Sequence, residues 1–342
     1  MHRILVVRTD RMGDVILSTP VLSAIKAHFP NSYITMLVRK YTYELVDGHP
    51  HLDDIICLED IDSLPFLSQI RTIRQYNFDH AFILHPRFRL ASLLAAAKIP
   101  IRVGSGYRWY SFLFNRRIFE HRKTAEHHEL DYNLRMLQTI NIPVPETVDF
   151  HFHIPQSAHH DMELLLQQFK VKADEKCVMI HPGSGGSARD WPLQRFAELI
   201  DRLSAIPKIR LIITGGLDER ELTNELLNKT QSKPINLAGK LTIKQLAALI
   251  KRSRLFIANS TGPLHLAVAV GTEVVSFFCP IIPCLPERWG PYNRIHDSVL
   301  MPPVNIRCNK CTIEKCAHFD CMDKITVDSA YNMAIKKLAM EK

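Results

Sequence analysis

The sequence predicts an α/β protein of two domains, each a parallel sheet with helices on both faces. Three observations predict it. The chain has 342 residues, more than one hydrophobic core ordinarily serves and enough for two. Short apolar runs alternate with longer segments of helical periodicity, and the alternation runs through the chain twice, the pattern of βαβ units. Between the halves, from Pro143 to Ala158, Pro143, Pro145 and Pro155 interrupt it. The expected division is 1–155, 156–325, and a terminal helix within 326–342 that packs back on the first domain.

In the first half, strands are expected at Arg3–Arg8, Tyr33–Val38, Asp54–Leu58 and Asp79–Leu84. Helices are expected at Val15–Phe29, Leu64–Gln75 and Leu90–Ala97. The second half predicts strands at Cys177–His181, Ile209–Thr214, Ile235–Leu237, Leu255–Ala258 and Val274–Phe278. Its helices are Leu193–Leu203, Asp218–Leu227, Ile243–Lys251 and Leu264–Val270, with Val327–Leu338 last. His151, His153, His159 and His160 crowd the break between the halves, where no rigid element sets metal-binding geometry, so a solvated linker is expected there.

Hydrophobic residues make up 46% of the chain and charged residues 23%, as in a soluble globular protein. No apolar run reaches the ~18–20 residues that span a bilayer, and Arg3–Arg8 does not read as a signal peptide, so a cytoplasmic location is expected. The net charge is +8. Nine basic residues against one acid between Arg87 and Lys123 equal that whole excess, and Phe88, Tyr107, Trp109, Tyr110, Phe112, Phe114 and Phe119 are interleaved with them. A basic, aromatic stretch fits a solvated face, an anionic acceptor or an anionic membrane surface. No helix-turn-helix, zinc-finger or RNA-recognition signature accompanies it, so nucleic acid is not expected as a partner.

Four of the eight cysteines form Cys308-x2-Cys311-x4-Cys316-x4-Cys321. A reducing cytosol disfavours disulfides. Two readings stay open: a structural thiolate site for zinc or iron, and free structural thiols.

Chemistry gathers in loops that follow strands. His181-Pro182-Gly183-Ser184-Gly185-Gly186-Ser187-Ala188-Arg189-Asp190 and Asn259-Ser260-Thr261-Gly262-Pro263-Leu264-His265 each run from a strand into a helix. Such loops turn backbone N–H groups and helix N-termini toward one space and bind phosphates. Ser184, Arg189, Ser260, Thr261, Gly262 and His265 are the candidate ligands of a nucleoside diphosphate, with the Gly215 and Ala238 turns beside the nucleoside. In the first half, Arg8-Thr9-Asp10-Arg11-Met12-Gly13-Asp14 places Asp14 at a helix start, either as a first-turn acid or as a general base. Asp10 competes for that role, and the room beside Gly13 favours Asp14.

These motifs, in this order from residue 3 to about 290, resemble glycosyltransferase family 9, the bacterial lipopolysaccharide heptosyltransferases. The resemblance rests on Arg8–Asp14, His181–Gly183 through Trp191-Pro192, Ile213–Gly216, Asn236–Gly239 and Asn259–Ala267. It implies a GT-B fold, two Rossmann-like domains facing a central cleft. It implies inverting transfer of heptose from ADP-heptose to an inner-core acceptor, with no catalytic metal. It implies Asp14 as base, Arg189, Thr261, Gly262 and His265 at the donor phosphates, and peripheral contact with the inner membrane. Arg11, Arg87, Arg89 and Arg117 are then the candidate ligands of the anionic, lipid-linked acceptor. Two departures stand out: Arg189 replaces the lysine of many members, and Ser260 the aspartate of several, which leaves the donor sugar open. A different nucleotide sugar, or a nucleotide-sugar epimerase on the same fold, is the alternative.

Overall fold

The computed structural model describes residues 1–312, 315–318 and 320–339. It comprises two compact units, Met1–Arg122 with Glu129–His153, and Lys123–His128 with Ile154–Lys342.

In the first unit, strands β1 (Arg3–Val7), β2 (Tyr33–Val38), β3 (Asp54–Cys57), β4 (His80–Ile83), β5 (Ile101–Ser105) and β6 (Arg116–Ile118) form one sheet. Their order is β3-β2-β1-β4-β5-β6 and every pair is parallel. Ile4, Leu5, Val6 and Val7 are all fully buried. A strand covered on both faces reads as a continuous apolar run, which is why β1 was legible. Seven helices surround the sheet: α1 (Met12–Ile16), α2 (Thr19–His28), α3 (Tyr43–Val46), α4 (Leu58–Asp62), α5 (Phe66–Gln75), α6 (Phe88–Ala96) and α7 (Glu129–Arg135). The single helix expected over Val15–Phe29 is two, divided at Leu17 and Ser18. Pro20 lies in the first turn of α2, where its missing N–H is harmless. Strands β5 and β6 were hidden inside the basic stretch.

The second unit repeats the scheme with α8 (Gln156–Gln168), β7 (Lys176–His181), α9 (Leu193–Ser204), β8 (Ile209–Ile213), α10 (Arg220–Lys229), β9 (Ile235–Asn236), α11 (Ile243–Arg252), β10 (Leu255–Asn259), α12 (Gly262–Ala269) and β11 (Glu273–Phe277). It ends with α13 (Pro286–Trp289), α14 (Ile295–Ser298), β12 (Val299–Leu300) and α15 (Val327–Ala339). The sheet order is β12-β11-β10-β7-β8-β9, again parallel. Trp191 anchors the core, stacked on Phe277 with centroids 4.1 Å apart and donating its indole N–H to the Ile325 carbonyl at 2.9 Å.

Two expectations need correction. The terminal helix joins the second unit. Val327, Ala330, Ala334 and Leu338 of α15 pack into the core of the second unit with α9, β10 and β11, and Lys337, nearly fully buried, pairs with Glu273 at 2.8 Å. The histidines are only partly solvated: His153 and His160 are exposed, His151 and His159 half-buried. His151 packs its ring against His49 and His51, His153 lies against Gly48, and His159 and His160 belong to α8. Burial, then His151 and His51, push the His49 imidazole down to about 3, so it is neutral.

Candidate functional site

Both sheets share one strand order, and in such sheets ligands bind beyond the carboxyl ends of the strands where the order reverses. In the first unit this point lies between β1 and β4, in the second between β7 and β10. The loops after β1, β7 and β10 are those the sequence singled out; the loop after β4 is not among them.

At the first point Arg8 is 1% exposed and gathers three carboxylates. Its Nε donates to Asp10 Oδ1 at 2.7 Å, one Nη reaches Glu129 at 3.2 Å and Asn133 Oδ1 at 3.1 Å, and the other binds Asp14 Oδ1. Arg122 also grips Glu129. His85 Nδ1 lies 3.0 Å from Asp10 Oδ2. The two aspartates are driven apart. Burial would raise Asp10, yet Arg8 and His85 together hold it well below the usual carboxylate range. Burial also raises Asp14; Arg8 offsets this only in part, Asp10 and Glu129 add to it, and its carboxyl reaches about 6. Asp10 is thus a fixed anion, and the Asp14 carboxyl titrates near 6. Sequence reasoning missed Arg8, His85, Glu129 and Asn133. The signal available for Arg8 was an arginine ending a wholly apolar strand, two residues before an aspartate.

Among the candidate acceptor ligands, Arg11 and Arg87 are exposed and immediately precede α1 and α6, at the ends of the loops after β1 and β4. Arg89 pairs with Asp62 at 2.8 Å, and Arg117, on β6, donates to the Phe114 carbonyl at 3.0 Å.

At the second point the loop after β7 is built around Asn259. Its Oδ1 accepts the Trp191 N–H at 2.9 Å, and its Nδ2 donates to the Pro182 carbonyl at 2.5 Å, closing both ends of the loop. Ser187 Oγ reaches the carbonyls of Ser184 at 2.8 Å and Ser260 at 2.9 Å, tying the two loops together. Gly185 and Gly186 take φ of +56° and +70°, the left-handed region open to glycine, with free space where side chains would stand. His181 Nε2 lies 3.3 Å from Glu219 Oε2, and its Nδ1 3.1 Å from Thr214 Oγ1. His181, then backbone N–H groups of Gly216 and Gly185, bring the Glu219 carboxyl down to about 2. A Cβ on Gly183 would land on the Glu219 carboxylate. Thr261 precedes α12 in extended conformation without capping it by its side chain; within the first turn Pro263 has no N–H and the Leu264 N–H donates to the Thr261 carbonyl at 3.2 Å. His265 is buried in α12 near Trp289. Gly215 accepts the Gly239 N–H at 2.9 Å. The Ala238 N–H is taken by Asn236 Oδ1 at 3.0 Å, which leaves its carbonyl, and not its N–H, for a base edge.

Cys308, Cys311, Cys316 and Cys321 converge on one cavity, joined there by Cys279, His318 and Arg189. The His318 N–H donates to Cys316 Sγ at 3.4 Å, and His318 Nδ1 is buried without a hydrogen-bond partner. The hydrogen bond from the Cys284 thiol, then N–H groups of Arg189 and Ile281, outweigh burial and bring the Cys279 thiol down to about 6. Among the described residues, three metal-ligating atoms lie within 4.8 Å of one another only at His2, Asp79 and His80, at the opposite ends of β1 and β4.

The model of glycosyltransferase family 9 (heptosyltransferase) matches residues 66–318. The chain belongs to this family and is a glycosyltransferase of the GT-B fold. It is 27% identical over 280 residues to lipopolysaccharide heptosyltransferase 3 of Escherichia coli K12, covering 78% of this chain and 79% of the relative. The solved E. coli ADP-heptose lipopolysaccharide heptosyltransferase II superposes with a TM-score of 0.79 at 19% identity, covering 99% of this chain and 98% of that one. The iron-containing dodecameric glycosyltransferase TibC of enterotoxigenic E. coli superposes at 0.60 and 15% identity, covering 98% and 76%.

Proposed function

We propose that this enzyme transfers heptose from ADP-heptose, with inversion, to an anionic lipid-linked acceptor of the lipopolysaccharide inner core. The observation that carries the reading is Asp14, a carboxyl buried against Arg8 and raised to about 6 at the switch point of the first sheet. A base with that pKa is ionised at neutral pH and retains affinity for a proton. Asp14 takes the proton of the acceptor hydroxyl as its oxygen attacks the anomeric carbon, and the bond to ADP breaks. Arg189, Thr261 and the N-terminus of α12 hold the charge left on the diphosphate, so the chemical step needs no divalent ion. The relatives' names support heptose and ADP. Arg11 and Arg87, exposed beside the loops after β1 and β4, meet the acceptor's phosphates, and the exposed aromatic and basic residues beyond them make peripheral contact with the inner membrane.

The cysteine cavity offers donors for a structural zinc or iron ion, but among the described residues no three of its ligating atoms lie within 4.8 Å of one another. Its thiols are soft donors, the His318 N–H already hydrogen-bonds one sulfur, and a buried imidazole nitrogen lacks a partner. Cys308, Cys311, Cys316 and Cys321 would hold the ion, which would supply a cross-link and no part of the reaction.

Calorimetric titration with ADP, GDP and UDP without divalent ions tests the donor. Selective ADP binding supports the reading, and selective UDP or GDP binding overturns the heptose assignment. Product analysis with ADP-heptose and an inner-core lipopolysaccharide acceptor tests transfer; free sugar formed without acceptor would overturn it.

A further inference from the structure

The amino ends of β1 and β4 carry a side-chain cluster that plays no part in the transfer reaction. His2, Asp79 and His80 each offer a ligand atom within 4.8 Å of the other two. Atoms bound ~2.0–2.2 Å from one tetrahedral ion stand ~3.4 Å apart, so side-chain rotation brings these three around it. The ladder of the first sheet fixes all three backbones. The Tyr33 N–H donates to the His2 carbonyl at 2.7 Å, and the Asp79 N–H donates to the Arg3 carbonyl at 2.8 Å. His80 lies opposite Ile4 in the register of β4 on β1. The Arg3 N–H donates to Asp79 Oδ2 at 2.8 Å, which orients the carboxylate and uses one of its several acceptor positions. His80 is 8% exposed, and its Nδ1 has no hydrogen-bond partner among the described residues. A buried ring nitrogen left that way is costly unless something meets it. Burial, then His2, lowers the His80 pKa, so the imidazole is neutral and able to ligate. The Phe29 ring, 4.5 Å from that of His2 and 6.2 Å from that of His80, supplies an apolar wall.

We propose that His2, Asp79 and His80 bind one divalent transition-metal ion of the zinc type. Two imidazoles and a carboxylate suit Zn²⁺ and Co²⁺, whereas Mg²⁺ and Ca²⁺ seek oxygen and would find one carboxylate. The ion acts on stability. Residues Arg3–Val7 of β1 separate the cluster from Arg8, about 20 Å at ~3.3 Å per residue, so it does not reach Asp14. It ties β1 to β4, the central pair of the six strands, where the chain enters the sheet. The proposal is independent of the donor, acceptor and cysteine readings.

The test uses the full chain without a histidine tag or added N-terminal residues, stripped with chelator under reducing conditions and titrated with Co²⁺ and Zn²⁺. Thiolate ligands give Co²⁺ a strong charge-transfer band, and nitrogen and oxygen ligands give d–d bands alone, which separates this cluster from the cysteine cavity. His2→Ala removes an exposed ligand. Asp79→Asn removes the carboxylate charge while its amide oxygen still accepts the Arg3 N–H, so neither variant disturbs the ladder. The unaltered protein should bind Co²⁺ without thiolate absorption, and each variant should bind it roughly tenfold more weakly or worse. At a hundredfold excess over its Kd, Zn²⁺ should raise the melting temperature of the unaltered protein by about 5 °C more than that of either variant. Equal uptake and equal shifts in unaltered protein and His2→Ala mark adventitious surface binding and overturn the proposal. Co²⁺ that binds only with thiolate absorption overturns it too and assigns the ion to the cysteines. No uptake of either ion by the unaltered protein overturns it outright.

Discussion

Asp14 is held with a raised pKa at a cost to stability. Its folded pKa of about 6 lies above the ordinary 3.8. The native state therefore binds its proton more tightly than the unfolded chain, and its contribution to stability falls as pH rises from about 4 through 6. Asp14→Asn should raise the melting temperature at pH 7.5 while lowering transfer roughly 10³-fold and leaving ADP affinity unchanged. A variant that loses stability and ADP binding together would make Asp14 a scaffold residue. In the unaltered enzyme kcat/KM should climb with pH through an acid limb centred near 6, because only the ionised carboxylate accepts the proton; a limb near 4 would point to an unperturbed carboxylate instead. Glu219 behaves in the opposite sense. Its folded pKa of about 2 lies below the ordinary 4.5, so its stabilisation is full above 4.5 and disappears as pH falls toward 2. Glu219→Gln should flatten the acid side of the stability profile, measured as melting temperature between pH 3 and 7.

The loops at the switch points depend on polar clamps more than on their own sequence. Asn259 stands at the end of β10 and closes both ends of the loop after β7. Asn259→Ala leaves the buried Trp191 N–H and Pro182 carbonyl without partners, which costs ~1–3 kcal/mol. The second unit should unfold at lower temperature and bind ADP more weakly, and unchanged ADP affinity would detach the loop from the donor. Gly183→Ala should likewise weaken ADP, because its Cβ displaces Glu219 from His181. These clamps also mark how far the sequence could be read. Doubly covered strands such as β1 and β10 announce themselves as apolar runs, and the glycine-rich loops follow them directly. The ionic cluster on Arg8 joins residues as far apart in sequence as Asp10 and Glu129, so no local pattern carries it. Strand β6, Arg116–Ile118, has two exposed arginines in its three residues and gives no alternation to detect. Helix α15 showed its apolar face plainly, but a periodic face does not say which core it joins.

The chain carries a net charge of +8, and the segment that accounts for it divides into structural and exposed cations. Arg102 donates its Nε to the Leu113 carbonyl at 2.8 Å, Arg89 pairs with Asp62, and Arg122 is spent on Glu129. Arg87, Arg108 and Arg116 remain exposed. Around them Trp109 is 73% exposed, Phe112 64% and Phe119 61%. Amphipathic rings settle at the headgroup level of a bilayer, and each nearby arginine adds ~1 kcal/mol on an anionic leaflet. An acceptor anchored in that leaflet would be met by the unit that carries Asp14. No helix among the described residues is long and apolar enough to cross a membrane. The protein should sediment with vesicles containing phosphatidylglycerol and release as salt rises, because exposed charges are screened. Trp109→Ala with Phe112→Ala should reduce that binding at every salt concentration. The same double variant should keep its rate on a short, detergent-soluble acceptor. If vesicle binding survives it intact, the aromatic face belongs to acceptor recognition instead, and the loss will appear in KM for the soluble acceptor.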